Sequence, residues 1–439
     1  MNRPRVVFLV ENMSFPQDRR VRQEAAALLR SGCNVSVVCP KGRGYATKSF
    51  EVVDQVEVYR YWQPCQGKNV PGYLAEYTWA TICTFVLTLW IWMTSGFDVL
   101  HAANPPDLFF LVAAPFVLLG KRFVFDQHDL CPELFDSKMG DASPFRGLLL
   151  FAEACSYKLA SLVIVTNQSA CDLARQRGAN ANKIRIVRNG PDLDHFAVLP
   201  PDPALKSGAS FMAVYVGALG AQDGVDSVVK AADYIVHHRK RKDVVLAILG
   251  DGDCMDDLRG LARDLKVEEF VNFVGWVGDS ELFRYLSTAD VCLAPDPPSR
   301  INHLSTFIKI MEYMFFGKVT VSFDLLESRR SARTTAIYVK GNSPRDFGDA
   351  VLGILDSPKF RARMGKDAAE RVRSSLHWGV SRSVLLDAYR QLIWKESASI
   401  VKTPEPIAGA ATDKGKEMSF RVAIPPRYEA SKAANSGAR

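Results

Sequence analysis

A chain of 439 residues is longer than one hydrophobic core usually supports, so two domains of similar size are expected. Its 48% apolar and 23% charged residues are ordinary for a globular protein. A net charge of +7 suits an anionic small molecule or an anionic membrane face. It is too diffuse to argue for nucleic acid, and no aromatic-plus-basic nucleic-acid motif accompanies it.

The first apolar run, RVVFLVE (5–11), is too short for a signal peptide and reads as a β-strand. The loop NMSFPQDRR follows, then a helical pattern VRQEAAALLRSG that stops at Gly32, then the run CNVSVVCP. Strand, helix and strand within this length make one βαβ unit. Further apolar runs recur at 97–102, 121–129, 161–167 and 183–190. Residues 192–210 break the pattern with three prolines and read as an interdomain linker. A second series follows at 211–220, 243–252, 269–278, 289–295 and 318–324. Continuous apolar strands alternating with helices predict parallel sheets covered on both faces. The expected organisation is a first α/β domain over 1–191, the linker, and a second over 211–375. A terminal helix at 376–399 would cross back to the first domain, and 400–439 form a tail whose Pro, Ala, Gly, Ser and Lys cannot bury a core.

Nine cysteines stand singly, with no CxxC pair, several of them inside apolar runs. Free thiols in a reducing compartment are expected. Neither a zinc pattern, a P-loop nor a GxSxG elbow is present, and no metal is expected.

Residues 78–93, TWATICTFVLTLWIWM, hold sixteen residues without charge and three tryptophans. That is short of the roughly 20 residues a bilayer crossing needs. Two readings stand: a buried helix of the first domain, or a helix seating Trp79, Trp90 and Trp92 in a membrane interface.

Ligands of open α/β sheets bind beyond the carboxyl ends of the strands. In SRINHLSTFIKIMEYMFFGK, Ser305 or Thr306 can cap a helix whose first turn has no acid, which suits a phosphate. Thr306, Lys309 and Glu312 recur at three-residue steps and would share a face. Lys309 would neutralise phosphate charge, and Glu312 could accept from two vicinal ribose hydroxyls; an amphipathic helix with a surface Lys–Glu pair explains the same pattern. VYVGALGAQDG and LGDGD are glycine turns after strands, the first of a kind that lets backbone approach a diphosphate. FDQHD puts His128 at a strand end, where a neutral imidazole can bond a sugar hydroxyl or simply brace a turn.

These blocks, in order, resemble the family-4 retaining glycosyltransferases of the GT-B fold. The resemblance covers about 4–395 and rests on FPQDRRVRQEA, NPPDLFFLVA, FDQHDLCPELF, VTNQSACDLA, VRNGPDLDHF, YVGALGAQDGVD, ILGDGD, VNFVGWV, STADVCLAPD and FIKIMEYMFFGK with SFDLLESRRSA. It implies two Rossmann-like parallel-sheet domains facing across a cleft. It also implies transfer, with retention, from a UDP- or GDP-sugar to a lipid-linked or polysaccharide acceptor at the cytoplasmic face of the plasma membrane, as in assembly of bacterial exopolysaccharide. The donor is a substrate, and no resident cofactor is expected. By resemblance Glu312 is the second glutamate of the E-x7-E motif and holds the ribose, and His128 approaches the donor sugar. Asn302, Ser305, Thr306 and Lys309 lie in the diphosphate loop, Gly217 and Gly220 in the glycine loop. Asp18, Arg19 and Arg20 would face the acceptor. Two departures stand out: Leu304 replaces the first glutamate, and Ala218, Gln222 and Asp223 stand where Arg and Lys commonly follow the strand. A catalytically silent GT-B subunit docked at a membrane, or a nucleotide-sugar epimerase, are the alternatives.

Overall fold

The computed structural model describes residues 3–42, 46–64, 67, 70–139 and 145–394. The expected tail, 400–439, lies outside them. The chain forms two compact units: one runs to Asn189 and resumes from Gly379, and the other is Gly190–Trp378. Cysteines among the described residues are free thiols.

The first unit is built on β1 (Arg5–Leu9), β2 (Asn34–Pro40), β3 (Phe50–Val53), β4 (Val56–Tyr61), β5 (Val99–Ala103), β6 (Arg122–Gln127), β7 (Leu162–Val165) and β8 (Ile184–Ile186). They form one sheet in the order β3-β4-β2-β1-β5-β6-β7-β8. Every neighbouring pair is parallel except β3 with β4. Val6, Val7, Phe8 and Leu9 are fully buried, as expected of a strand with helices on both faces. The β3–β4 hairpin was not among the expected strands. Its turn, Asp54–Gln55, has φ of 49° and 67°, a two-residue geometry that sequences usually announce with Asn-Gly or Asp-Gly.

The apolar segment expected over 78–93 belongs to a helix of 25 residues, Val70–Thr94. By length and composition it could cross a membrane, so the argument from shortness does not hold. Instead it packs on β2 and β4. Ala80, Thr84, Thr88 and Ile91 form its buried stripe, at the spacing of one helix face. Leu74, Trp79, Ile82, Val86, Trp90 and Met93 are exposed on the remainder. The helix Phe110–Leu118 packs beside it, and Phe145–Leu159 packs beside that one in turn. These neighbours expose Leu111, Leu118, Leu148 and Phe151. Core helix and apolar outer surface are therefore two faces of one element.

The second unit carries β9 (Phe211–Val216), β10 (Val244–Leu249), β11 (Val271–Gly275), β12 (Val291–Ala294), β13 (Thr320–Phe323) and β14 (Ala336–Val339). The sheet is wholly parallel, in the order β11-β10-β9-β12-β13-β14. Residues 192–210, expected as a linker, are tied to this unit. Leu199 and Asp202 donate backbone N–H groups to Ser287 and Thr288, and Lys206 pairs with Asp290 at 2.7 Å. The last helix, Trp378–Trp394, belongs from Gly379 to the first unit, where Tyr389 is buried against His101.

Candidate active site

In the second unit the chain runs from β9 out to β11, then starts again at β12 on the other side of β9. Such a reversal leaves a crevice at the carboxyl ends of the two central strands. Gly217 follows β9 there with φ +155°. A Cβ on it would stand 2.7 Å from the Tyr215 hydroxyl and 3.5 Å from Lys309 Nζ. Gly250, after β10, has φ +136° and could carry no Cβ, because one would lie 1.8 Å from the Gly217 carbonyl oxygen. The glycines thus bring bare backbone against the lysine.

The helix Ile308–Phe315 is pinned over this point by Tyr313. Its hydroxyl accepts from Val216 N–H at 2.8 Å and donates to the Leu293 carbonyl at 3.2 Å, joining the helix to β9 and β12. Lys309 is thereby held beside Asp296, with Nζ 2.9 Å from Oδ1, and its charge lies 4.7 Å from the centre of the Tyr215 ring. Burial raises the Asp296 acid, opposed by Lys309. Its Oδ2 has no hydrogen-bond partner. Glu312, three residues on, is buried on the same helix.

The start of this helix differs from expectation. Phe307 occupies the N-cap and no side chain caps it. Ser305 ends a separate short helix, Arg300–Leu304, and its Oγ donates back to Ile301. Thr306 precedes the cap, so it does not share a helix face with Lys309 and Glu312. The helix start therefore has no side chain capping its N–H groups and no acid in the first turn. Asn302 braces the loop, donating from Nδ2 to the Pro297 carbonyl at 2.9 Å. Gly220 is less available than expected, because its N–H donates to Asp223 Oδ2 at 3.0 Å.

In the first unit the reversal falls between β1 and β5. Around it the acceptor-side expectation needs correction at two residues. Asp18 is the N-cap of the helix Arg19–Arg30 and accepts from Val21 N–H. Arg20 is buried and forks onto Asp126 at 2.7 and 2.6 Å, with further bonds to the Val187 carbonyl and Asn189. Neither side chain is left over for a substrate. Arg19 is half-buried at the helix start.

His128 lies 3.6 Å from Asp126 and is 11% exposed. Burial opposes its charge, but Asp126 prevails and its pKa rises. The imidazole therefore tends toward the charged form rather than the neutral one expected. Glu24 stands 3.2 Å from Arg20 and 3.4 Å from His101. Burial raises Glu24 to about 8, with Arg20 opposing and Asp126 adding to it. At Asp126 burial is overcome by Arg20 and both imidazoles, which hold the acid well below the usual range. Burial also depresses His101, against the pull of Asp126. Glu24, His101 and Asp126 place ligand atoms within 4.8 Å of one another, as a metal would need. Arg20 already supplies the positive charge there. Sequence reasoning missed Asp126 and Glu24. The available signal was a charge inside an apolar strand, as in FVFDQ, because a buried charge must be paired.

Two family models match the chain. Residues 17–190 match the family model described as glycosyl transferase 4-like domain, and residues 210–357 the model described as glycosyl transferases group 1. Over 252 residues the chain is 25% identical to D-inositol 3-phosphate glycosyltransferase 2 of Catenulispora acidiphila, covering 53% of this chain and 56% of that one. Over 163 residues it is 27% identical to the Escherichia coli UDP-Gal:alpha-D-GlcNAc-diphosphoundecaprenol alpha-1,3-galactosyltransferase, covering 34% and 40%. The chain spans little more than half the length of the curated relatives it matches. The structure superposes on sucrose-phosphate synthase from Thermosynechococcus elongatus with TM-score 0.71 at 18% identity, covering 90% of this chain and 100% of the other. The fold is GT-B.

Proposed function

Since the chain belongs to the group 1 and 4-like glycosyltransferases, we propose that it moves a sugar from a nucleoside diphosphate donor, with retention, to a lipid-linked or polysaccharide acceptor. The observation that carries this reading is the crevice beyond β9 and β12. Bare backbone at Gly217, the Lys309 ammonium and an uncapped helix start converge there, with Glu312 one turn deeper. A diphosphate meets these groups; its ribose hydroxyls meet Glu312. The carbon–oxygen bond to the diphosphate breaks, the acceptor oxygen bonds the same sugar carbon from the same face, and the acceptor proton leaves with the diphosphate. Lys309 and the helix start oppose the charge that develops on the leaving group, which is the main catalytic term in this reading. No resident cofactor or metal is invoked. A uridine nucleotide is favoured as donor, because the E. coli relative is named for UDP-Gal.

On this reading the exposed apolar helices of the first unit rest on the cytoplasmic face of a membrane, as an enzyme of polysaccharide assembly requires. The test is calorimetric titration of UDP and GDP into the wild type and Glu312→Ala. The variant should stay folded and lose about 2–4 kcal/mol of nucleotide affinity, as two hydrogen bonds to a charged group go. Unchanged affinity and turnover would remove Glu312 from the site.

A second reading has its own support. Leu304 stands in place of a glutamate, and the Asp223 carboxylate occupies the Gly220 N–H that a phosphate would use. Both suit a silent, membrane-docked subunit. Binding of neither nucleotide would favour it.

A further inference from the structure

Beneath the amino-terminal end of the helix Val70–Thr94 the first unit contains a cavity of about 130 Å³. Its walls come from three helices and the segment after β5, with Tyr77, Pro106, Leu134, Phe135, Leu149 and Ala152 among the lining side chains. Its lining is almost wholly apolar. Leu74 and Leu148 also line it, and they are 43% and 50% exposed. The cavity therefore opens on the apolar surface formed by the same helices.

Among the described residues that line it, one carries a carboxyl group. Asp107, 2% exposed, follows β5 and has its Oδ1 occupied: Asn104 donates to it at 2.8 Å and the Cys131 thiol at 3.5 Å. Oδ2 has no partner. Burial raises the acid to about 7, against the two donors. The free oxygen can accept a hydrogen bond from a ligand, or donate one in the protonated form that burial favours. A buried polar atom without a partner is costly, and a ligand that satisfies it recovers that cost. The volume is close to the ~150 Å³ of an apolar cavity that admits a benzene-sized guest. That is room for a five- or six-carbon segment, with its oxygen-bearing end at Asp107.

We propose that this cavity binds the head-proximal segment of the aliphatic chain of a lipid-linked acceptor, with Asp107 bonding an oxygen of its head group. The inference rests on the acceptor being lipid-linked. It differs from general membrane contact, because the outer face of the helix meets many lipids while the cavity takes one chain end on. The occupant is the acceptor and not a bilayer phospholipid. Pro105, Pro106 and Asp107 follow β5, at the strand reversal where a substrate of this unit is expected.

The test uses the full-length chain and farnesyl diphosphate carrying a benzophenone on its tail, irradiated and mapped by mass spectrometry. Adducts on Leu134, Phe135, Leu148 or Leu149, competed by unlabelled farnesyl diphosphate, are expected. Adducts confined to the outer residues Ile82, Val86 and Trp90 would overturn the proposal. A parallel arm uses phosphatidylglycerol vesicles with a benzophenone-bearing acyl chain, which should label the outer face only. Equal entry of that probe into the cavity would overturn the assignment to the acceptor. Ala152→Phe fills the space and should weaken farnesyl diphosphate binding at least tenfold while leaving UDP binding unchanged. If that variant does not fold, labelling of the wild type decides. Labelling needs no turnover, so loss of the cavity and loss of the transferase reading are separate results. UDP binding without cavity adducts removes only the cavity; cavity adducts without UDP binding or transfer remove only the transferase reading.

Discussion

The carboxyl ends of two strands, β9 in the second unit and β6 in the first, solve opposite problems. Beyond β9 and β12 of the second unit stand two glycines, a lysine held by one carboxylate and an uncapped helix start. Around the end of β6 in the first unit, Arg20, Glu24, His101, Asp126 and His128 are packed against one another. One place keeps backbone and charge ready for an incoming anion. The other has already spent its charges on itself, so its partners are protein groups and its value is structural. The lesson is that strand ends of the same architecture need not all be substrate surface.

If that contrast is right, the largest effect on stability should come from the first unit. Asp126→Ala leaves the Arg20 guanidinium buried and loses its fork, as when one partner of a buried ion pair is removed. Urea unfolding should show a loss of about 3–5 kcal/mol. A loss below about 1 kcal/mol would mean that the cluster is hydrated and open, and the contrast would fail.

A smaller effect sharpens the same point through pH. Glu11, just after β1, is pushed up to about 8 by burial and by Glu76, with Gln63 opposing. A folded-state value above the unfolded one means that its contribution is complete below about pH 4.3 and lost as pH rises through about 8. Glu24 and Asp107 titrate in the same direction. The readout is therefore the difference between the wild type and Glu11→Gln. From pH 5 to 9 the wild type should lose about 3–4 kcal/mol more than the variant. Parallel profiles would show that Glu11 is solvated.

The sequence made most parallel strands plain, since they are short apolar runs bounded by polar turns, but it missed β4 and β14, which lie parallel to β2 and β13. It also picked out Lys309, Glu312 and Gly217, because helix starts and glycine turns are local signals. The first-unit cluster was not legible: its members lie at positions 20, 24, 101, 126 and 128, brought together only by strand order. Asp18 and Arg20 looked like a polar loop awaiting a substrate, whereas one caps a helix and the other is buried. Ser305 and Thr306 looked like caps because a hydroxyl before an apolar run is the usual cap signature. A short helix capped by Ser299 precedes them and absorbs Ser305.

The smallest expected effect tests whether the second site is as open as the contrast says. Asp223 is the exception there, for its carboxylate accepts the Gly220 N–H at 3.0 Å and places a negative charge in the glycine loop. A diphosphate entering the loop must displace that bond and meet that charge. Asp223→Ala frees the amide and removes the repulsion, at the cost of a local turn. UDP affinity should rise about fivefold, near 1 kcal/mol, the scale of one such hydrogen bond. The gain should shrink at high salt, because a charge near the surface is screened. Asp223→Asn keeps an acceptor without the charge and should recover only the salt-dependent part. If UDP binds the three proteins equally, the diphosphate does not approach Gly220, and Lys309 with the helix start must hold it alone.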